Sequence, residues 1–161
     1  MLTCHYAQRD YPFIFTNGLQ ASYVGVDSET RFVKHLKHWA VDDCGRVINP
    51  MLVDEQICGA VAQGIGGALF EECLYDAAGL PQNRSMADCL VAMAGEMPDI
   101  SIAHIEMPTR SSMLGAKGAG EASIAGVPGA VVNAINNALR PLNAQVWSQP
   151  VAPEKILRAL G

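Results

Sequence analysis

Apolar and polar residues alternate along two stretches in the first quarter of the chain, and each alternation predicts a strand. Leu19 to Val26 carries Tyr23, Val24 and Val26 as its β-formers. Asp27-Ser28-Glu29-Thr30 is a turn, after which Phe32 to Val41 resumes as a strand. Strict alternation puts Phe32, Lys34, Leu36 and His38 on one side of it and Val33, His35, Lys37 and Trp39 on the other. The two strands form an antiparallel hairpin. His35 and His38 then lie on opposite faces, which argues against a two-histidine metal site and predicts exposed sheet residues. Upstream, Tyr11 to Phe15 is aromatic and β-prone, and Asn17-Gly18 is a turn signal.

The period then changes. Asn49-Pro50 pairs a strong N-cap with proline at the first helical position. From Pro50 to about Cys73 the chain reads as one long helix with Ile57, Val61, Ile65, Ala68 and Leu69 as its buried stripe. Gly59, Gly64, Gly66 and Gly67 oppose a helix by about 1 kcal/mol each relative to alanine, so close approach of another helix or of a ligand backbone is expected to compensate. Gln56 and Gln63, seven apart, share a face: either a pair of amides for a polar cofactor or two solvent-facing glutamines. The state of Met86 to Met97 is undecided by its pattern. Ile100 to Met107 reads as a strand, Ala122 to Ala138 as a helix buried through Val131, Ile135 and Leu139, and Asn143 to Trp147 as a short strand. Pro153 to Leu160 is a terminal helix. The expected fold class is α+β, with antiparallel strands, a long glycine-rich helix and further C-terminal helices.

Composition narrows the function. With 161 residues, half of them hydrophobic, the chain suits one domain with a real core. A net charge of −5 and the lack of a basic run argue against nucleic acid as partner. No stretch approaches the roughly 20 apolar residues of a membrane span. No basic segment followed by an apolar run marks a secretory signal, so a cytoplasmic location is expected. Cys4, Cys44, Cys58, Cys73 and Cys89 form no CxxC and no metal-ligand spacing with histidine. They fit reduced thiols, and no iron–sulfur or zinc site of the chain's own is expected.

Two stretches concentrate candidate chemistry. In the run from Val41 to Pro50, Asp42-Asp43 ends a strand and Gly45 turns the chain. Paired aspartates bind cations or, more often, cap turns and salt-bridge a base such as Arg46, and the structural role is expected here. The other stretch is Gly115-Ala116-Lys117-Gly118-Ala119-Gly120-Glu121. Three glycines allow close approach and positive φ, and the helix expected from Ala122 would put the loop's amides near a helix N-terminus, a good place for an anion. Glu121 there is a plausible general base, or a helix-capping glutamate on a surface turn.

Taken together, Val41-Asp42-Asp43-Cys44-Gly45-Arg46-Val47-Ile48-Asn49-Pro50, then Gln56, then Val61-Ala62-Gln63-Gly64-Ile65-Gly66, then the loop to Glu121 closely resemble the C-terminal part of the molybdenum-binding large subunit of the xanthine dehydrogenase and aldehyde oxidase family. The match is nearest the bacterial carbon monoxide dehydrogenase-like group. The resemblance covers nearly the whole chain and implies that residues 1–161 are the C-terminal portion of a larger molybdopterin-binding domain. It implies that Glu121 is the base that deprotonates a molybdenum-bound hydroxyl, that Gln56 hydrogen-bonds the pterin, and that Gln63, Gly64, Lys117, Gly118, Ala119 and Gly120 lie along the cofactor. In bacterial members that cofactor is molybdopterin cytosine dinucleotide, and molybdenum takes no protein ligand. The [2Fe-2S] and FAD groups sit on partner subunits. Where the family generally has glycine before the cofactor glutamine, this chain has Glu55.

Family large subunits are several times longer. The resemblance therefore implies one part of a molybdenum hydroxylase, active only with a companion cofactor-binding chain. It would oxidise an aldehyde, an N-heterocycle or a similar small substrate with water-derived oxygen. The alternatives are a truncated, non-catalytic fragment and a small-molecule binding or assembly module without bound cofactor. Apolar surface facing the companion is expected to be exposed and to drive association with a partner or with itself.

Overall fold

The computed structural model describes residues 2–5 and 13–161. Of the aromatic stretch before the hairpin, Tyr11 and Pro12 lie outside the described residues, and Phe13 to Thr16 are irregular. Strands β1 (Asn17–Val26) and β2 (Val33–Asp43) form the expected antiparallel hairpin. Helix α1 (Pro50–Leu69) follows, then a long irregular connection with one short 3₁₀ turn at Ala94–Glu96. Strand β3 (Asp99–His104) returns beside β2 in parallel, Lys37 opposite Asp99 and Asp42 opposite His104. The sheet is thus mixed, in the order β1-β2-β3, rather than antiparallel throughout. A parallel return needs a long crossover, which α1 and its connection supply. Helices α2 (Val127–Leu139) and α3 (Pro153–Leu160) complete an α+β fold.

The core lies between α1, α2 and the inner face of the hairpin. Ile57, Val61, Ile65 and Ala68 of α1 are buried as their spacing predicts, as are Val131, Ile135 and Leu139 of α2. Gly64 has its own reason for being glycine: a Cβ there would lie 2.6 Å from the Cβ of Val127. The helix thereby lets α2 approach closely. Asn49 caps α1, its side chain accepting a hydrogen bond from the Leu52 amide. The helix ends at Leu69, four residues before the expected boundary, where the Gly66 carbonyl accepts from the amides of both Phe70 and Glu71.

Two further boundaries differ for identifiable reasons. Helix α2 begins at Val127, not Ala122, and turns occupy the intervening residues. Pro128 decides this, because in a helix starting at 122 it would be interior, lacking an N–H and clashing with the preceding turn; here it sits in the first turn. The expected strand Asn143 to Trp147 is irregular. Ala144 and Val146 are buried in the alternating way that suggests a strand, but the partner of Val146 is a side chain. The Asn136 amide donates to the Val146 carbonyl (3.1 Å) and accepts from its N–H (2.8 Å), imitating a ladder without a second strand.

A β-bulge corrects the reading of the histidines. Tyr23 pairs with Lys37 but Val24 pairs with His35, so Leu36 is the extra residue and alternation shifts there. His35 and His38 consequently face the same, inner side, both buried, with ring centroids 5.5 Å apart. Burial, reinforced by the neighbouring His35, pushes the His38 pKa from 6.5 down to about 4, and burial also lowers that of His35. A lowered histidine pKa means that the unfolded chain takes up the proton first. This contribution is fully present above about pH 6.5 and is lost as the pH falls toward about 4. For His38 the loss is on the order of 3 kcal/mol. Denaturant unfolding between about pH 6.5 and 5, above the usual carboxylate range, should show falling stability, and the fall should shrink in His35→Leu. An unchanged midpoint across that window would contradict it.

Candidate functional site

The loop carrying Glu121 is built onto the end of β2. Gly45, at φ +70°, turns the chain so that its backbone bridges Ala116 in antiparallel fashion. The Lys117 amide donates to the Cys44 carbonyl (2.7 Å) and the Arg46 amide to the Gly115 carbonyl (3.0 Å). A side chain at Gly45 would collide with the Gly115 carbonyl, so glycine is required on both grounds.

Each carboxylate of the Asp42-Asp43 pair holds one side of this loop. Asp43 takes the Lys117 ammonium at 2.5 Å, the two side chains being only 5% and 9% exposed. Its other oxygen accepts from the amides of Gly45 (2.9 Å) and Met107 (3.2 Å). Burial works to raise the Asp43 pKa, but the hydrogen bonds from Lys117, Gly45 and Met107 and the lysine charge outweigh it and leave the carboxyl below its ordinary 3.8. The pair is structural, as expected, but its base is Lys117 and not Arg46. On the other side, Asp42 accepts a hydrogen bond from the buried hydroxyl of Ser123. The five residues from Gly118 to Ala122 are thus bracketed by two buried anchors, Lys117 before them and Ser123 after them.

Between the anchors the loop is open. Glu121 is exposed and makes no hydrogen bond or ion pair among the described residues. The amides of Gly118, Ala119, Gly120 and Glu121 likewise have no acceptor among them. Free amides beside an exposed carboxylate suit a ligand that brings acceptors. These amides belong to the loop itself, since α2 starts six residues after Glu121 and not directly behind it.

Helix α1 meets the loop through Gln56. A Cβ on Gly120 would lie 3.3 Å from Gln56 Oε1, so the helix amide and the loop backbone are in contact. Gln63 is also exposed, about 10 Å further along the helix at 1.5 Å per residue. Gly64 is buried against α2, and Lys117 has both its amide and its ammonium engaged inside the protein. Of the predicted site residues, then, Gln56, Gly118, Ala119, Gly120 and Glu121 come together at one surface, Gln63 stands beyond them on the same helix, and Lys117 and Gly64 act beneath it. Glu55 is exposed. His104, expected as a strand residue, ends β3 and bonds Asp54 of α1 through Nε2 at 2.7 Å. Among the described residues no cluster of three or more His, Cys, Asp or Glu is placed to hold a metal ion.

Residues 3–98 match the model of the molybdopterin cofactor-binding domain. The chain belongs to the xanthine dehydrogenase and aldehyde oxidase family of molybdenum-binding large subunits. It is 42% identical over 146 residues to the nicotine 6-hydroxylase large subunit of Paenarthrobacter nicotinovorans, an alignment spanning 91% of this chain and 18% of that one. It is 33% identical over 135 residues to the carbon monoxide dehydrogenase large chain of Afipia carboxidovorans, spanning 83% of this chain and 16% of the relative. Quinoline 2-oxidoreductase from Pseudomonas putida 86 superimposes with a TM-score of 0.87 at 39% identity, over 90% of this chain and 18% of that structure. The chain therefore spans about a fifth of the length of the family's large subunits. The resemblance read from the three motifs is the family found by comparison.

Sequence reasoning missed the polar residues beneath the loop: Gln20, Ser22, His38 and Ser123. Period 2 already places Gln20 and Ser22 on one face of β1, and the pairing of Gly18 with Asp42, Gln20 with Ala40 and Ser22 with His38 puts all of them inside. The signal was present, since His38 alternates in step with Ala40 and Asp42; only His35 needs the bulge at Leu36 to reach that face.

Proposed function

We propose that this chain supplies the catalytic base and part of the cofactor cradle of a molybdenum hydroxylase. The enzyme oxidises an aldehyde, N-heterocycle or similar small substrate with water-derived oxygen and works only with a companion cofactor-binding chain. The observation that carries the reading is the exposed Glu121 carboxylate on a loop of free amides, held against Gln56 and anchored from below. Those donors suit the pyrophosphate and pterin of molybdopterin cytosine dinucleotide: amides for the anion, a neutral carboxamide for the heterocycle. When bound, the molybdenum cofactor supplies the two-electron redox chemistry. Glu121 accepts a proton at its carboxylate oxygen as oxygen is transferred. Gln56 orients the pterin, Gln63 and the backbone from Gly118 to Gly120 extend the contact, and Lys117 and Gly64 keep loop and helices in place for it. On this reading, [2Fe-2S] and FAD groups held by partner subunits would supply the onward electron transfer.

An exposed apolar surface supports the need for a companion. Leu19, Tyr23 and Trp39 stand on the outer face of the hairpin, and Leu19, Val41, Ile105 and Met107 line a shallow recess beside the Asp43 anchor. Contiguous apolar surface of this kind marks an interaction site. The test is purification from the native host under mild conditions, with metal analysis and mass spectrometry of co-purifying chains. About one molybdenum per protomer, together with a larger pterin-binding chain and iron–sulfur and flavin partners, is the expected result. A metal-free chain without those partners would instead favour a non-catalytic fragment.

A further inference from the structure

Beneath the Glu121 loop, one partly buried chain of hydrogen bonds runs along the inner face of the hairpin. The Ser22 hydroxyl lies 3.0 Å from His38 Nδ1, and His38 Nε2 lies 2.9 Å from Gln20 Oε1. Gln20 Nε2 donates to Asp42 Oδ1 at 3.3 Å, and Ser123 donates to Asp42 Oδ2. The donor directions are mutually consistent. A carboxylate only accepts, so Gln20 must present its NH₂ to Asp42 and its oxygen to His38. His38 must then carry its proton on Nε2 and accept from Ser22 at Nδ1. Every donor in the series points toward Asp42.

The fold makes room for this series at two glycines. Asp42 Oδ1 occupies the place of the missing side chain at Gly18. A Cβ at Gly126 would lie 2.8 Å from Gln20 Cγ, so the turn after Glu121 rests directly on Gln20. His38, Asp42 and Ser123 are each at most 2% exposed. Fully satisfied buried networks fix one arrangement of the backbone they hold, because any other leaves a buried polar group unpaired. Here the backbone held is that of Ser123, two residues from Glu121.

We propose that Asp42 and Ser123 are positioning residues for Glu121, with Gln20, His38 and Ser22 holding Asp42 in the orientation that receives the Ser123 hydroxyl. The role rests on the reading of Glu121 as the base. It differs from that of the Asp43–Lys117 pair, which ties the loop's entry to β2; the Asp42 series ties its exit. Without it, the turn from Glu121 to Gly126 loses its one side-chain tether to the sheet among the described residues, and the carboxylate samples positions away from the reacting atoms. Misplacement of about 1 Å lowers rate strongly without altering ground-state binding in proportion.

The experiment compares Ser123→Ala and Gln20→Met with the parent, both in the purified native complex, by amide hydrogen exchange, molybdenum content and steady-state kinetics; Glu121→Gln is the reference. Each variant is expected to speed exchange about tenfold at the Gly126 amide, which donates to the Ser123 carbonyl, while leaving α2 protected. It should lower kcat about 10- to 100-fold at unchanged KM and molybdenum content. A purely structural role would instead reduce α2 protection and the yield of folded complex together, with kcat normal in what remains. Wild-type exchange and kcat in Ser123→Ala, with Glu121→Gln inactive, would overturn the positioning role. Should Ser123→Ala fail to fold, Gln20→Met decides by the same readouts. Full activity in Glu121→Gln would overturn the base assignment instead. The exchange data would then still report whether the series holds the loop.

Discussion

Replacing Glu121 with glutamine is expected to lower turnover of the proposed complex by about 10²- to 10⁴-fold, the usual contribution of a positioned general base, while molybdenum stays bound. The substitution is close to isosteric and removes only the ability to take up a proton. Glu121 is exposed and engages no other described side chain, so the change leaves no buried group unpaired and the fold intact. The free amides from Gly118 to residue 121 and the Gln56 carboxamide are untouched, so the proposed cofactor cradle persists. Single-turnover kinetics with metal analysis of the same sample check both halves. Full activity would show the base assignment to be wrong, and loss of molybdenum together with activity would make Glu121 a binding residue.

Asp43→Ala is expected to destabilise the chain by about 3–5 kcal/mol, because breaking a buried ion pair from one side strands the other charge. The Lys117 ammonium, 9% exposed, keeps no partner, and the amides of Gly45 and Met107 lose their acceptor. Against a typical total stability of about 5–15 kcal/mol, that is enough to unfold a marginal domain. Lys117→Met should be milder, since the Asp43 carboxylate retains its two amide donors. Combining the two should be less harmful than the sum of the separate effects, because each single change includes the same unpaired charge. The pH dependence follows in sign. Asp43 has a lowered folded pKa, so its stabilisation is present above about 3.8 and is lost as the pH falls through the lower folded value. Denaturant unfolding of wild type and Asp43→Ala should therefore converge on acidification. An equal gap at pH 7 and in strong acid would mean that the pair contributes through packing rather than charge.

How much of this was legible beforehand differs from element to element. The hairpin, the long helix with its Asn49 cap and Pro50, the buried stripe of α1 and the terminal helix follow from local periodicity and capping, which depend on neighbours in the chain. Family membership was legible as well, because it rests on three motifs in order rather than on any contact. The start of α2 was also written locally, in Pro128, although apolar spacing alone points further upstream. The parallel placement of β3, the bulge at Leu36 and the strand-like pattern answered by Asn136 were not legible, since each is a choice of partner made across the fold.

The same division runs through the site. Sequence by itself picked out the candidate residues: a glycine loop ending in Glu121, Gln56 on a glycine-rich helix, and an aspartate pair ahead of a proline-started helix. Tertiary structure alone decided where each of them sits and what it touches. It gave Asp43 to Lys117 rather than Arg46, made Lys117 an internal brace, and buried Gly64 under Val127. It also brought His38, Gln20 and Asp42 together beneath Ser123. The physical reason is range. Helix propensity, capping and turn chemistry act over a few residues, whereas an ion pair between positions 43 and 117 or a hydrogen bond between 42 and 123 exists only once the sheet and α2 have excluded water from between them.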